Sequence, residues 1–156
     1  MASYPIVRTC LGLVMSLVTL WPTPAAPSSC NTGPWFIFFD TGQSAIDDVS
    51  SMMLDHVLAA SGSCNVRMLR VDAYADTEGS FASNRALSER RAQSVVRYLV
   101  ERGKPRAEIV TFAFGETQLR VPTPDGVSER QNRRIEMRYD LSLQESDGDI
   151  TQNTGS

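Results

Sequence analysis

Hydrophobic and polar positions alternate with two different periods along this chain, and the switches between them mark its elements. Trp35-Phe36-Ile37-Phe38-Phe39 is an unbroken β-prone run and predicts a first strand. From Ala45 to Ser61, Ile46, Val49, Met53, Val57 and Leu58 recur at steps of three and four, which predicts a first helix closed by Ser61-Gly62-Ser63. Met52 and Met53 read as core filler within it. Val66 to Tyr74 sets Leu69, Val71 and Ala73 on one face of a second strand. Gly79-Ser80 then marks a turn, with Ser80 as the N-cap of a second helix that Gly103 ends and Pro105 follows. Ile109 to Phe114 predicts a third strand, and Leu119 to Asn132 a long polar loop with Pro122, Pro124 and Gly126. Ile135, Met137, Tyr139 and Leu141 alternate with Glu136, Arg138 and Asp140, the pattern of a half-buried last strand. The order is βαβαββ. It implies an α/β (α+β) two-layer sandwich with both helices on one face of a mixed sheet.

The domain so defined spans residues 35–143, long enough to bury a real core. Residues 26–34 form a short Pro/Ser/Gly-rich lead-in. Gln144 to Ser156 is a polar tail with few apolar residues, expected to be disordered. Residues 1–25 read as a cleaved export signal: Arg8 supplies the positive region, Cys10 to Trp21 a short apolar run, and Pro22-Thr23-Pro24-Ala25-Ala26 a small-residue cleavage region. That run is shorter than the roughly 20 residues a membrane span needs. No second apolar run follows, so the mature chain is expected to be soluble and to lack a transmembrane segment.

Cys10 leaves with the signal, so Cys30 and Cys64 remain as a pair in an oxidising compartment. Each precedes a predicted strand, and if those strands run parallel in one sheet their sulfurs could meet as a disulfide. The rival reading makes Cys30 a lipid-modified N-terminus, but Pro27-Ser28-Ser29 lacks the Leu-x-x pattern of lipoprotein signals.

The formal net charge is −3 and the pI about 5.1, which argues against a general nucleic-acid binder. Lys104 is the sole lysine, so the basic residues are almost all arginine. Arginine suits planar carboxylate recognition, although genome composition produces the same bias. The second helix carries Leu87, Arg91, Val95 and Leu99 on one face. A guanidinium on an apolar stripe is unfavourable unless an anion meets it. Asp76, at the mouth of the preceding strand, is one candidate, as a structural ion pair; a ligand carboxylate is the other. Arg90 points about 100° away and reads as a surface charge. His56 stands alone, and neither paired carboxylates nor a Ser/His arrangement suggests catalysis. No cofactor or metal is implied.

Several motifs fall in order along the chain. Tyr74-Ala75-Asp76-Thr77-Glu78-Gly79-Ser80 is followed by Asn84-Arg85-Ala86-Leu87-Ser88-Glu89-Arg90-Arg91-Ala92. Phe39-Asp40-Thr41-Gly42-Gln43-Ser44 precedes them, and Gly115-Glu116-Thr117 and Asn132-Arg133-Arg134-Ile135-Glu136 come after. Together they resemble the OmpA C-terminal-like (OmpA/MotB) peptidoglycan-binding family, over roughly Trp35 to Leu143. The resemblance implies a non-catalytic periplasmic module whose ligand is the diaminopimelate of the peptidoglycan stem peptide. Asp76 would take its ammonium and Arg91 its carboxylate, with Asn84, Asp40, Thr41 and Arg133 lining the same pocket. A small zwitterion so held implies an affinity on the order of µM to mM. Ala75 stands where the family usually has Thr, and Tyr74 where it has His; a lost hydroxyl removes a hydrogen bond worth roughly 0.5–1.5 kcal/mol. Family members usually carry a barrel, a membrane helix or a lipid anchor. This chain shows none, so the alternative is an envelope assembly protein that keeps the fold and binds a protein partner instead.

Overall fold

The computed structural model describes residues 31–64 and 67–140. The elements in chain order are β1 (Trp35–Phe38), α1 (Asp48–Cys64), β2 (Leu69–Tyr74), α2 (Phe81–Glu101), a short 3-10 turn (Arg106–Glu108), β3 (Ile109–Gly115) and β4 (Arg134–Tyr139). One sheet runs β1-β4-β2-β3, with β2 and β3 parallel and β4 antiparallel to both its neighbours. Both helices lie on one face, so the expected α/β two-layer sandwich is the fold adopted.

The topology follows from the connections. Parallel neighbours need a crossover, and α2 supplies it between β2 and β3. Helix α1 carries the chain from β1 to β2 past a gap one strand wide, and β4 fills that gap. Ile37, Ile135 and Ala73 lie in register across three strands, as do Trp35, Met137 and Val71. All six are buried beneath the helices. The other face carries the polar half of the alternation. There Arg70 pairs with Asp72 at 2.9 Å, Arg138 reaches Asp72 at 3.3 Å, and Arg134 pairs with Glu136 at 2.7 Å.

Helix α2 is built as its spacing predicts. Leu87, Arg91, Val95 and Leu99 are all buried. Val95 and Leu99, fully enclosed, contribute about 1.5–3 kcal/mol each. The Ser80 hydroxyl accepts from the Ser83 amide while the Ser83 hydroxyl accepts from the Ser80 amide, a reciprocal cap. At the far end the amides of Gly103 and Lys104 bond the carbonyls of Val100 and Leu99, and Gly103 takes a φ of 95° that a side chain would resist.

Helix α1 departs from expectation. It begins at Asp48, three residues later than its periodicity suggests, and runs through Gly62 to Cys64. Asp47 caps it, its carboxylate accepting from the Ser50 amide at 2.7 Å. Its buried face is centred on Leu54 and Val57, both fully enclosed, with Met53 and Leu58 half-buried beside them, whereas Val49 is 76% and Met52 72% exposed, so Met52 is not core filler. His56 lies on the exposed side, edge-on to Trp35. Strands β1 and β2 do point the same way, but β4 separates them. Cys30, the side chain of Cys64, residues 1–25 and the tail 144–156 lie outside the described residues, and with them the signal, lipid and disulfide expectations.

Candidate functional site

Because β4 runs against the other three strands, its N-terminal end meets the C-terminal ends of β1, β2 and β3 at one end of the sheet. Topology therefore gathers Asp40 and Thr41 after β1, Asp76 after β2, Glu116 after β3 and Arg133 before β4. Helix α2 starts beneath this end and adds Asn84 and Arg91.

Arg91 is 0% exposed. Its Nε donates to the Gln43 carbonyl at 2.9 Å, Nη1 to that of Tyr74 at 3.0 Å, and Nη2 to that of Asp40 at 3.3 Å. The Phe39 ring lies 4.9 Å from its Cζ. Burial lowers its pKa to about 10, and the nearby Asp76 charge opposes that shift. The Asp76–Arg91 ion pair considered from sequence is not formed. Main-chain carbonyls at the ends of β1 and β2 hold the guanidinium instead.

Asp76, 3% exposed, pairs with a different arginine. Arg133 Nη1 donates to its Oδ2 at 2.9 Å, the Glu129 amide to the same oxygen at 3.1 Å, and the Ser128 hydroxyl at 3.3 Å. Arg133 also donates from Nε to the Phe39 carbonyl at 3.0 Å and from Nη1 to Ser128 Oγ at 2.8 Å. One end of the sheet thus encloses two guanidiniums around a single buried carboxylate. A low-dielectric site with this imbalance is suited to a further carboxylate.

The remaining candidates sit around this centre. Thr41 is exposed, and its hydroxyl lies 3.2 Å from that of Ser128. Asp40 is exposed and enters the site through its carbonyl. Asn84 is buried but turns elsewhere, donating from Nδ2 to Glu116. It ties α2 to the loop after β3, and its side chain makes no hydrogen bond to Asp76, Arg91 or Arg133 among the described residues. The carboxylate–guanidinium centre is therefore Asp76, Arg91 and Arg133, with Thr41 at its rim.

Four contributors were not singled out from the sequence. Ser128 and Glu129 hold Asp76 from the loop before β4. Thr77 secures that loop: its hydroxyl donates to the Pro124 carbonyl at 2.6 Å and its carbonyl accepts from the Gly126 amide at 2.8 Å. Asn132, fully buried, accepts from the amides of Arg120 and Val121 at 2.8 and 2.9 Å. Thr77 and Asn132 stand within the quoted motifs, whereas Ser128 and Glu129 carry no sequence marker. Among the described residues no helix is long and apolar enough to cross a membrane, and no His/Cys/Asp/Glu group could hold a metal.

Residues 38–133 match the OmpA family. A peptidoglycan-associated lipoprotein of Pseudomonas putida is 33% identical over 101 residues, 65% of this chain and 60% of that protein. Outer membrane protein A of Escherichia fergusonii is 40% identical over 90 residues, 57% of this chain and 35% of that protein. The chain thus spans about a third to three fifths of the length of these relatives. Among solved structures, the peptidoglycan-associated lipoprotein of Burkholderia pseudomallei superposes with a TM-score of 0.61 at 25% identity, covering 67% of this chain and 89% of that one. The periplasmic domain of Helicobacter pylori MotB, at 18% identity and a TM-score of 0.53, shares the fold. Such relatives are structural and binding proteins rather than enzymes. Because the matched residues 38–133 make up more than half of the chain, the chain belongs to the OmpA family.

Proposed function

We propose that this domain binds peptidoglycan non-covalently in the cell envelope, through the amino-acid head group of the diaminopimelate in the stem peptide. The observation that carries the reading is the charge imbalance of the enclosed centre, Arg91 and Arg133 against Asp76. A ligand carboxylate balances it by meeting the guanidinium N–H groups that the main chain leaves over. The adjacent ammonium then faces Asp76, whose contacts among the described residues fall on Oδ2. Ser128 and Glu129 overlie that carboxylate, so ligand entry requires their loop to yield.

The test is sedimentation of the mature protein with insoluble diaminopimelate-type peptidoglycan, beside Asp76→Asn and Arg91→Lys variants that keep native circular dichroism. Binding by the wild type and its loss in both variants supports the reading. Equal sedimentation of all three contradicts it.

A second reading has its own observation. Every hydrogen-bond partner of the Arg91 guanidinium is a main-chain carbonyl, as expected of a purely structural clamp. In that case the fold is kept for an envelope protein partner, and wall binding is absent in the wild type.

A further inference from the structure

Away from the site, a groove of about 530 Å³ runs between α2 and β3. Ala92, Val96 and Val100 form an apolar strip along it, and Arg85, Arg97 and Arg106 rim it, against one acid, Glu89, which Arg85 already engages. In a chain of net charge −3, this is a locally basic surface. Beside it, β3 is the last strand of the sheet, and its outer edge has no partner among the described residues. Its sequence, IVTFAFG, has no charge and no proline, and Phe112 is 41% exposed. An apolar, uncharged edge strand of seven residues is a template for another strand. An edge beside a helix-walled groove suits an extended segment whose alternate side chains enter the groove.

We infer that the groove and the β3 edge receive the chain's own acidic segment, residues 145–152, as an added strand. Two arguments select it. A second copy would bring the same arginine rim against itself, whereas Glu145, Asp147 and Asp149, at alternate positions and so on one face of an extended segment, complement it. The reach also fits. Tyr139 ends β4 level with Leu69, which is level with Ile109 at the start of β3. Passing from β4 beyond β2 and β3 covers three strand spacings of about 4.8 Å, which roughly four to five extended residues span. Residues 141–144 would suffice for that crossing at the Arg106 end, which would leave 145–152 alongside β3 and parallel to it.

The experiment is amide hydrogen exchange on the whole mature chain, read over residues 109–115. In a Glu145→Lys/Asp147→Lys/Asp149→Lys variant the outward amides of β3 exchange at least about tenfold faster, while α1 and β2 are unchanged. Adding Arg97→Glu and Arg106→Glu, both exposed positions, restores the protection by reversing both charges. Identical exchange in the wild type and the triple variant overturns the inference. So does wild-type protection that rises with protein concentration, because the occupant is then a second copy. Neither readout involves the wall, so failure here leaves the proposed function standing.

Discussion

Arg133 and Asp76 meet at 2.9 Å across 57 residues of sequence, both largely buried, at the point where β4 slots between β1 and β2. The pair ties the last strand to the end of β2, and Arg133 reaches on to the Phe39 carbonyl at the end of β1. Three strands are thereby fastened at the end of the sheet that carries the site.

Removing one partner leaves a buried charge uncompensated. Arg133→Met is expected to destabilise the domain by about 3 kcal/mol in urea unfolding. Adding Asp76→Asn to it recovers part of that loss, because no carboxylate is then stranded. Additive losses in the double variant would show that the two residues act independently.

Thr77 fastens the loop that overlies Asp76. Thr77→Val keeps the volume but strands the Pro124 carbonyl, at an expected cost of about 1–2 kcal/mol. Amides of residues 123–129 should exchange faster, with those of the sheet unaffected. An unchanged loop would place its anchorage elsewhere, at Asn132.

Gly115 ends β3 with a φ of 58°, and a Cβ there would sit 3.1 Å from the Arg85 amide nitrogen and 3.2 Å from its Cα. These are backbone atoms of α2 and cannot swing aside. Gly115→Ala is expected to lose at least about 1 kcal/mol, against no loss for Gly62→Ala, which lies within α1 in ordinary helical backbone and whose Cβ meets nothing. Thermal melts of the two variants side by side make the comparison.

The α1 cap gives a pH-dependent prediction. Hydrogen bonds from Ser50 hold the Asp47 carboxyl below its ordinary value of 3.8. A carboxylate lowered on folding stabilises fully above 3.8 and loses that contribution as pH falls through its folded value. Asp47→Ala is therefore less stable than the wild type by about 1 kcal/mol at neutral pH, and the gap narrows below pH 3.8. A gap independent of pH would assign the loss to packing.

How much was legible in the sequence depends on the range of each interaction. Helix α2 could be read residue by residue, because its stripe, its Ser80 cap and its Gly103 terminus are local signals. The alternation of β4 was equally local. Helix α1 was misplaced by three residues because its apolar positions do not define one stripe, and the cap at Asp47 had to decide. That three of the candidate residues lie together was legible in the motifs, but their pairing was not. Asp76, Arg91 and Arg133 were all candidates, yet which arginine meets Asp76 depends on β4 entering between β1 and β2, a choice with no local trace. Asn84 was a candidate too, but its bond to Glu116 across 32 residues had no local trace. Ser128 and Glu129 gave no signal, since a polar loop becomes specific only once Thr77 and Asn132 hold it.

The central claim is recognition of a carboxylate beside an ammonium, and the wall itself offers the control. Diaminopimelate presents both groups at its side-chain end, whereas a lysine at the same stem position presents the ammonium alone. The most direct measurement is the affinity of the mature protein for diaminopimelate-type and lysine-type peptidoglycan under one condition. The account predicts binding to the first that is at least about tenfold tighter, since lysine leaves the Arg91–Arg133 centre without its anion. Equal affinity for the two walls would contradict it.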